Sequence, residues 1–244
     1  MGSWMVGVDT GGTFTDLVAF NTATGEIQLA KVPSYPPDPS RAVLAGVQEL
    51  VDRGIPASKI GFFAHGTTVG TNAVLEYHGA VTGLLITRGF RATYEAQGWI
   101  QPSGSDLIDT GYQKPAMLVP QHLTEEVTGR LDYTGTEITP IDEAALRRSV
   151  RSLKDKGVEA IAVCFLFSYI NSAHERRAAE IIGEEAPGVR ISLSSEVLPV
   201  IREYPRLSTT VIDAYVGPKV ETYLQRLDEK LSSIGVSKPL KFLM

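Results

Sequence analysis

The start of the chain constrains the fold more than any other segment. Residues 4–9 and 16–20 are short apolar runs, and the residues between them are rich in glycine and threonine. Apolar runs separated by such a turn are typical of buried strands. After a second turn at 22–25, residues 27–32 alternate between apolar and polar side chains, as a third strand does. We therefore expect the chain to begin with a three-stranded meander.

Strands alternate with helices along the rest of the chain, which favours an α/β fold class. The further predicted strands are residues 60–65, 81–87, 126–133, 160–167 and 189–193. The predicted helices are residues 40–54, 68 or 71 to 78, 141–156, 171–185 and 208–231. Ser40 is expected to cap the first of these helices, and Gly217-Pro218 to break or kink the last.

Two segments do not fit this alternation. Residues 98–120 lack periodicity and contain Gly, Pro, Ser and Asp, so we expect an extended surface loop. Residues 240–244 read as the beginning of a buried strand. Because a domain seldom ends within a strand, the chain is expected to be cut from a longer protein.

The charge of the chain argues against nucleic acid and anionic membranes as partners. Lys plus Arg total 23 against 28 for Asp plus Glu, which gives a net charge of -5. Both partners need a concentrated basic face, and no cluster of Lys and Arg provides one. The single Cys164 lies in an apolar run and is expected to be buried, in a reducing compartment. With no leader and no apolar run long enough for a bilayer, a cytoplasmic protein is expected.

Residues 9–16, Asp-Thr-Gly-Gly-Thr-Phe-Thr-Asp, have the composition of a phosphate-binding turn. Gly11 and Gly12 can adopt positive φ and let backbone N–H groups approach an anion closely, forming a concave nest. Three threonines add hydroxyl donors without adding charge. They are Thr10, Thr13 and Thr15.

The two carboxylates of the same segment suggest a cation. Asp9, at the end of a buried strand, is placed to hold Mg²⁺ through water, since this ion usually keeps several waters. Asp16 either acts in the same way or orients the threonine hydroxyls. The alternative interpretation is a plain hairpin whose glycines supply a tight turn.

Residues 65–72, His-Gly-Thr-Thr-Val-Gly-Thr-Asn, form a second polar segment between a predicted strand and a predicted helix. The N–H groups at a helix N-terminus favour anions and carbonyl oxygens. His65 is suited to polarise a substrate or to move a proton. In the alternative interpretation, Thr68 or Thr71 caps the helix and His65 fills a satisfied polar niche.

Other polar groups are given structural interpretations. Residues 201–206 contain two arginines and a glutamate, for which an ion-pair network is favoured over contact with an anionic ligand. His174 and Glu175 indicate a helix start and not a metal site, because no second histidine lies at ligand spacing. His78 and His122 are expected to face solvent and receive no role.

The chain resembles the hydantoinase A/5-oxoprolinase family in five segments spread over almost its whole length. They are residues 6–16, 65–76, 84–91, 159–169 and 192–218. The resemblance implies an actin-like ATPase fold of two ribonuclease H-like halves around a nucleotide cleft. This chain would be the truncated N-terminal half with an α/β insertion. Residues 1–190 correspond to the family's N-terminal region, and residues 191–244 to an incomplete start of its hydantoinase A core region.

The resemblance also implies roles for particular residues. Catalytic roles fall to Asp9, His65 and Thr68, and Asp9 is in addition the expected magnesium ligand. The residues expected to bind ATP are Gly11, Gly12, Thr13, Phe14, Thr15, Asp16, Gly66, Thr67 and Asn72.

Family members use ATP to open cyclic amides such as 5-oxoproline or hydantoin, and relatives carboxylate acetone or acetophenone. The resemblance thus implies the N-terminal part of an ATP- and magnesium-dependent cyclic amide hydrolase. A subunit of a ketone carboxylase and a non-catalytic nucleotide-binding module are the alternatives. A small-molecule substrate, a hydantoinase B-type subunit or domain, and an oligomeric state are implied as well.

The sequence departs from the family pattern in several places. The family's second phosphate motif is missing, so this fragment alone is expected to be inactive. Gly70 stands where alanine is expected, and Gly129 stands where an acidic residue is expected. The segment 99–115 is also atypical, which leaves the substrate open.

Overall fold

The computed structural model describes residues 3–35, 38–96, 115–236 and 240–243. The chain divides into two compact units, the first of Met1–Leu75 with Lys219–Met244 and the second of Glu76–Pro218. The predicted regions 1–190 and 191–244 are regions of the family's sequence, whereas the two units are defined by packing. The division into these two regions therefore stays a prediction.

The described strands and helices follow the predicted alternation. The strands are β1 (Trp4–Thr10), β2 (Phe14–Asn21), β3 (Ile27–Pro33), β4 (Ile60–Thr67), β5 (Thr82–Thr87), β6 (Thr124–Val127), β7 (Arg130–Leu131), β8 (Glu137–Thr139), β9 (Ala160–Cys164), β10 (Arg190–Leu193) and β11 (Leu240–Leu243). The α-helices are α1 (Pro39–Asp52), α2 (Val69–Leu75), α3 (Ala92–Ala96), α4 (Glu143–Asp155), α5 (Ala173–Glu185), α6 (Ser194–Val197) and α7 (Glu203–Ser233).

The first unit is built on a five-stranded sheet with the strand order β11-β4-β1-β2-β3. The strands β1, β2 and β3 form the predicted meander, with antiparallel pairing. The strand β4 runs parallel to β1, and β11 runs parallel to β4. The strand predicted for residues 240–244 is therefore present, at the edge of this sheet.

The two faces of this sheet differ because side chains alternate along each strand. The covered face packs against α1 and the second half of α7, with Val6, Leu17 and Phe63 in its core. The other face, called the open face here, carries rows of side chains across the strands. Its first two rows are Phe62, Met5, Phe20 and Ile27, and then Ala64, Gly7, Val18 and Leu29. The six large apolar side chains of these rows are 37–62% exposed, which is typical of an interaction surface.

The helix α1 has a different cap from the predicted one. Its N-cap is Asp38, and Pro39 occupies the first turn, where no N–H donor is needed. Ser40 is buried, and its hydroxyl donates a hydrogen bond to Asp38. Lys230 of α7 donates to the Ser40 hydroxyl (2.8 Å) and pairs with Asp38 (3.1 Å). The predicted Ser40 cap is wrong because this tertiary partner determines the direction of the serine side chain.

The second unit contains a four-stranded parallel sheet with the order β10-β9-β5-β6. Both β5 and β9 are buried at every position, as expected for strands covered on both faces. The helix α4 contributes three fully buried residues to this core, Leu146, Val150 and Leu153. Each stabilises the fold by about 1.5–3 kcal/mol relative to an exposed position.

Two predicted strands of the second unit are shorter than expected. The strand predicted at 160–167 ends at Cys164, and Phe167 has a left-handed φ of 59° that no strand accommodates. The strand predicted at 126–133 is divided between β6 and β7. A Cβ on Gly129, in the gap between them, would lie 3.2 Å from the Ile141 Cα, so close backbone packing interrupts the strand there.

The long helix α7 runs from Glu203 to Ser233, so of the two predicted alternatives at Gly217-Pro218 the break is wrong and the kink stays a prediction. Its first part packs in the core of the second unit and its last part in the core of the first. Packing on both sides of Pro218 offsets the hydrogen bond that proline cannot make. A Cβ on Gly217 would lie 2.3 Å from the Arg190 Nε, so the glycine is needed for that contact.

Most of the predicted loop at 98–120, including the atypical segment up to residue 114, lies outside the described residues. Residues 115–120 lead into a short 3₁₀ turn at Gln121–Leu123. Within the described residues, no helix is both long and apolar enough to cross a membrane.

Candidate functional site

The glycine-rich turn joins β1 to β2 at the end of the sheet where the carboxyl ends of the parallel strands β1 and β4 lie side by side. The Gly11 N–H donates to the Phe14 carbonyl (3.1 Å), and the Ser34 hydroxyl donates to the Gly11 carbonyl (2.7 Å). Neither Gly11 nor Gly12 has a positive φ. The positive φ that these glycines allow is therefore not used, because the Gly11–Phe14 bond closes the turn without it.

The glycines instead leave the backbone accessible. Gly12 is exposed, and a Cβ placed on it would meet no atom within 4 Å. Within the described part of the chain, the N–H groups of Gly12 and Thr13 donate to no acceptor. Two neighbouring free donors beside the exposed Thr13 hydroxyl are suited to bind an anion.

Alternation along the strands separates the predicted site residues into two groups. The open face carries Asp9, Asp16 and Gly66, and the covered face carries Thr10, Thr15 and His65. A ligand on the open face can contact Asp9, Asp16 and Gly66 directly. It can affect Thr10, Thr15 and His65 only indirectly, through the backbone of the strands.

The third row of the open face, called the charged row here, consists of Gly66, Asp9, Asp16 and Lys31. Asp9 and Asp16 lie directly opposite each other, an arrangement that is destabilising for like charges without a cation. Lys31 pairs with Asp16 at 2.8 Å and lies 4.9 Å from the centre of the Phe14 ring. Asp9 forms no ion pair or hydrogen bond with any described residue. The charged row therefore has one carboxylate whose charge is left uncompensated.

This carboxylate fits a magnesium ion that keeps most of its water. Asp9 is exposed, and its carboxylate Oδ1 lies 3.3 Å from the position that a Cβ of Gly66 would occupy. Among the described residues no group of three metal-binding side chains occurs. Magnesium is commonly held by one or two carboxylates together with substrate phosphates, so Asp9 suits a shared site better than a protein-only one.

On the covered face, Thr15 and His65 are fully buried. The Thr15 hydroxyl is hydrogen-bonded to the Ser34 hydroxyl (2.9 Å), and the His65 Nε2 to the Tyr223 hydroxyl (2.6 Å). Burial lowers the pKa of His65 to about 4, although the Val8 carbonyl and the Asp9 charge act in the opposite direction. His65 is thus neutral at pH 7 in a largely satisfied polar niche. Its catalytic role stays a prediction.

The second polar segment leads from β4 into α2, which has only seven residues. Thr68, one of the two predicted caps, directly precedes the helix, and its carbonyl accepts a hydrogen bond from the Asn72 N–H (2.8 Å). The Val69 N–H donates to the Thr67 hydroxyl (3.3 Å). Thr68 and Asn72 are exposed and paired through their side chains at 3.4 Å. A helix this short adds little dipole, so any ligand contact here depends on side chains.

Of the ion-pair network predicted for residues 201–206, the structure contains the pair of Arg206 with Glu203 (3.6 Å), and the other partners of Arg206 lie outside this segment. Arg206 is fully buried and donates to the carbonyls of Phe165 and Val200, both at 3.1 Å. Its Nε donates to the Ser194 hydroxyl (3.2 Å), which in turn donates to the buried Glu175 carboxylate (2.6 Å). Cys164 is buried, and burial raises the pKa of its thiol to about 12. His78 and His122 are exposed, as predicted.

Three residues of the site were not found from the sequence: Lys31, Ser34 and Tyr223. Lys31 was detectable, because a strand pairing of residues 14–21 with 27–33 places it beside Asp16. Ser34 follows β3 directly and so lies next to the turn. Tyr223 lies 158 positions from His65 in the sequence, and no local pattern indicates that contact.

The fold and the site define the class of the protein first. It is a mixed α/β protein that presents a glycine-rich turn and two carboxylates at one edge of a sheet. Comparison with known families matches residues 5–186 to the family described as hydantoinase/oxoprolinase N-terminal region. The chain belongs to this family, as its motifs predicted.

Individual relatives agree with this membership. Caprolactamase subunit alpha of Pseudomonas jessenii is 35% identical over 98% of this chain and 35% of that protein. The acetophenone carboxylase gamma subunit of Aromatoleum aromaticum is 34% identical over 94% of this chain and 33% of that protein. The crystal structure of an ATP-dependent caprolactamase from Pseudomonas jessenii matches with a TM-score of 0.88 and 34% identity, over 98% of this chain and 35% of that one. The chain spans about a third of the length of these relatives.

Proposed function

We propose that the glycine-rich turn and the charged row bind the phosphates and the magnesium ion of ATP. The observation that carries this proposal is that backbone N–H groups without acceptors lie close to a carboxylate without an ion-pair partner. The N–H groups of Gly12 and Thr13 are available to an anion, and the uncompensated Asp9 lies two residues from the turn on the open face. An anion that binds together with a cation would pair with the N–H groups and, through the cation, with the Asp9 carboxylate. Magnesium would supply charge neutralisation of the phosphates.

We further propose that the whole protein uses ATP to open a cyclic amide. Resonance stabilises an amide carbonyl, which makes it a poor electrophile. Transfer of the γ-phosphoryl group from ATP to the carbonyl oxygen, with release of ADP, would create a phosphorylated imidate, which water attacks more readily. Cleavage of the ring C–N bond would then leave an acyl phosphate, which a second water would hydrolyse to a carboxylate and phosphate. The contribution of this chain is to hold the phosphates with backbone N–H groups and a threonine hydroxyl. Of the proposed catalytic residues, Asp9 and Thr68 are exposed and can contact a ligand, whereas His65 acts through its neighbours.

The remaining parts of the proposal follow from family membership. The first unit is proposed to be one ribonuclease H-like half of an actin-like ATPase fold. Residues 1–190 and 191–244 of the chain are proposed to be the family's N-terminal region and the incomplete start of its hydantoinase A core region. A hydantoinase B-type subunit or domain is the proposed partner. The relatives named above are themselves subunits, which supports an assembly. A buried, unreactive Cys164 is consistent with the proposed cytoplasmic location.

A ketone carboxylase subunit is the second candidate. It is supported by the similarity to an acetophenone carboxylase subunit, at 34% identity against 35% for the caprolactamase subunit. Full-length protein with its partner subunit should be assayed with 5-oxoproline, hydantoins, lactams, and ketones with bicarbonate. Product formation from a cyclic amide supports the first candidate, and formation only from ketone and bicarbonate contradicts it.

Binding is tested by titrating this chain with Mg-ATP and following the backbone amide signals by NMR. The amides of Gly11, Gly12 and Thr13 should shift, and Asp9→Ala should weaken the magnesium-dependent part of the response at least about tenfold. Asp52→Ala is the matched control, because Asp52 is an exposed carboxylate on α1. If the turn amides do not shift at millimolar Mg-ATP, or if both variants respond like the unmodified chain, the site is wrongly assigned.

A further inference from the structure

The hydrogen bond between His65 and Tyr223 connects α7 to the end of β4. Both side chains belong to the first unit and are at least 93% buried. The Nε2···Oη distance of 2.6 Å indicates a strong hydrogen bond. The Phe242 ring packs edge-on against the imidazole, with 5.8 Å between the ring centres. Such packing leaves His65 few alternative orientations.

The surroundings determine which group donates in this bond. The His65 Nδ1 is buried and has no hydrogen-bond partner among the described residues. If Nε2 carried the proton, both the buried Nδ1 lone pair and the Tyr223 hydrogen would be without a partner. If Tyr223 donates to Nε2, the imidazole proton lies on Nδ1, and only that N–H is without a partner. The second arrangement leaves fewer buried polar atoms without a partner.

The register of β1 and β4 places this imidazole beside the candidate site. Val8 is the neighbour of His65, and Asp9 is the neighbour of Gly66. The carboxylate of Asp9 occupies the space next to Gly66, only 3.3 Å from where a Cβ would be. A change in the position of His65 therefore moves the backbone on which the Asp9 carboxylate packs.

We propose that Tyr223 is a positioning residue of the nucleotide site: its hydroxyl donates to the His65 Nε2 and, through the end of β4, fixes Gly66 against Asp9. This inference rests on the proposed nucleotide binding and adds a residue from the distant helix α7. Tyr223 acts from the covered face, and Asp9 meets the ligand on the open face. The helix α7 and the charged row are thus coupled through the strand β4.

The experiment compares two tyrosines of the same helix in the full chain. Tyr223→Phe removes the hydroxyl bonded to His65, and Tyr215→Phe removes one from a tyrosine of similar burial in the second unit. Nitrogen NMR of the imidazole should show the proton on Nδ1 in the unmodified chain and in Tyr215→Phe. In Tyr223→Phe the two neutral forms should mix, and the affinity for Mg-ATP should fall about tenfold.

The outcomes separate this inference from the proposed function. If the unmodified chain does not bind Mg-ATP, the proposed function fails, whatever the imidazole signal shows. If it binds but Tyr223→Phe binds equally well, the positioning role is refuted. A proton found on Nε2 in the unmodified chain also refutes it, and this measurement needs no variant to fold.

Discussion

Replacing Glu175 by alanine should destabilise the second unit by about 3–5 kcal/mol, the cost of leaving the partners of a buried charge unpaired. The Glu175 carboxylate is fully buried on α5. It accepts hydrogen bonds from the Phe165 N–H (2.9 Å), the Ser195 N–H (2.8 Å) and the Ser194 hydroxyl (2.6 Å). The Ser194 hydroxyl also accepts from Arg206, so the carboxylate compensates a buried guanidinium through one intermediate group.

The magnitude follows from these contacts. Three hydrogen bonds at about 0.5–1.5 kcal/mol each add up to about 1.5–4.5 kcal/mol, and each is stronger because its acceptor is a carboxylate, so they account for most of the expected loss. The rest comes from the fully buried Arg206, which keeps Glu203 at 3.6 Å but loses the second negative charge that reaches it through Ser194. Glu175→Gln keeps an acceptor but not the charge, so its effect should lie between those of the alanine variant and the unmodified chain.

Urea unfolding at pH 7 measures the effect, with the reactivity of the Cys164 thiol as a probe located in the second unit. Glu180→Ala is the matched control, because Glu180 is exposed on the same helix and pairs with Arg177. Exposed pairs contribute about 0–1 kcal/mol, so the control should shift the midpoint only slightly. A loss below about 1 kcal/mol for Glu175→Ala would refute the reasoning that the network compensates a buried charge.

Three further outcomes are expected. Gly46→Ala should lower the free energy of unfolding by about 1–3 kcal/mol in urea melts, because its Cβ would lie 2.1 Å from a Leu17 methyl group. Gly183→Ala, on an open helix surface, should instead be neutral or stabilising. Hydrogen bonds from two arginines of α4 lower the pKa of Glu185 from 4.5 to about 2. Its contribution is thus complete above pH 4.5 and lost as the pH falls towards 2, and the difference in Tm between the unmodified chain and Glu185→Gln should shrink over that window. Cys164 should resist aromatic disulfide reagents at pH 8 until the chain unfolds, because its thiol is buried and has a pKa of about 12; rapid labelling of the folded chain would contradict this.

Local patterns were sufficient for most elements of the fold. The meander, the buried strands and the helix α4 follow from residue alternation and helical periodicity. Two predictions, the Ser40 cap and the helix break at Gly217-Pro218, failed because the partners of these residues are distant in sequence. Ser40 is held by Lys230, and Pro218 is accommodated because two separate cores pack the same helix.

In the candidate site, too, local sequence patterns predict some features, and contacts between distant residues determine the others. Its residue types and their order were readable from the sequence, because phosphate and magnesium binding require glycine, threonine and aspartate close together. The two groups formed by the site residues, one on each face of the sheet, follow from strand alternation once the strands are known. The free donors of Gly12 and Thr13, and the pairing of Lys31 with Asp16 but not with Asp9, depend on the tertiary structure.

The sequence by itself determined the family, the α/β class and the segment that carries the glycine-rich turn. Those properties depend on neighbouring residues, whose periodicity and composition are visible along the chain. The tertiary structure decided that the turn has no left-handed glycine, that Asp9 is the uncompensated carboxylate, and that Tyr223 reaches His65. Hydrogen bonds and charges of these kinds depend on which side chains the fold brings within about 3 Å of each other, and that distance is set by packing between distant segments.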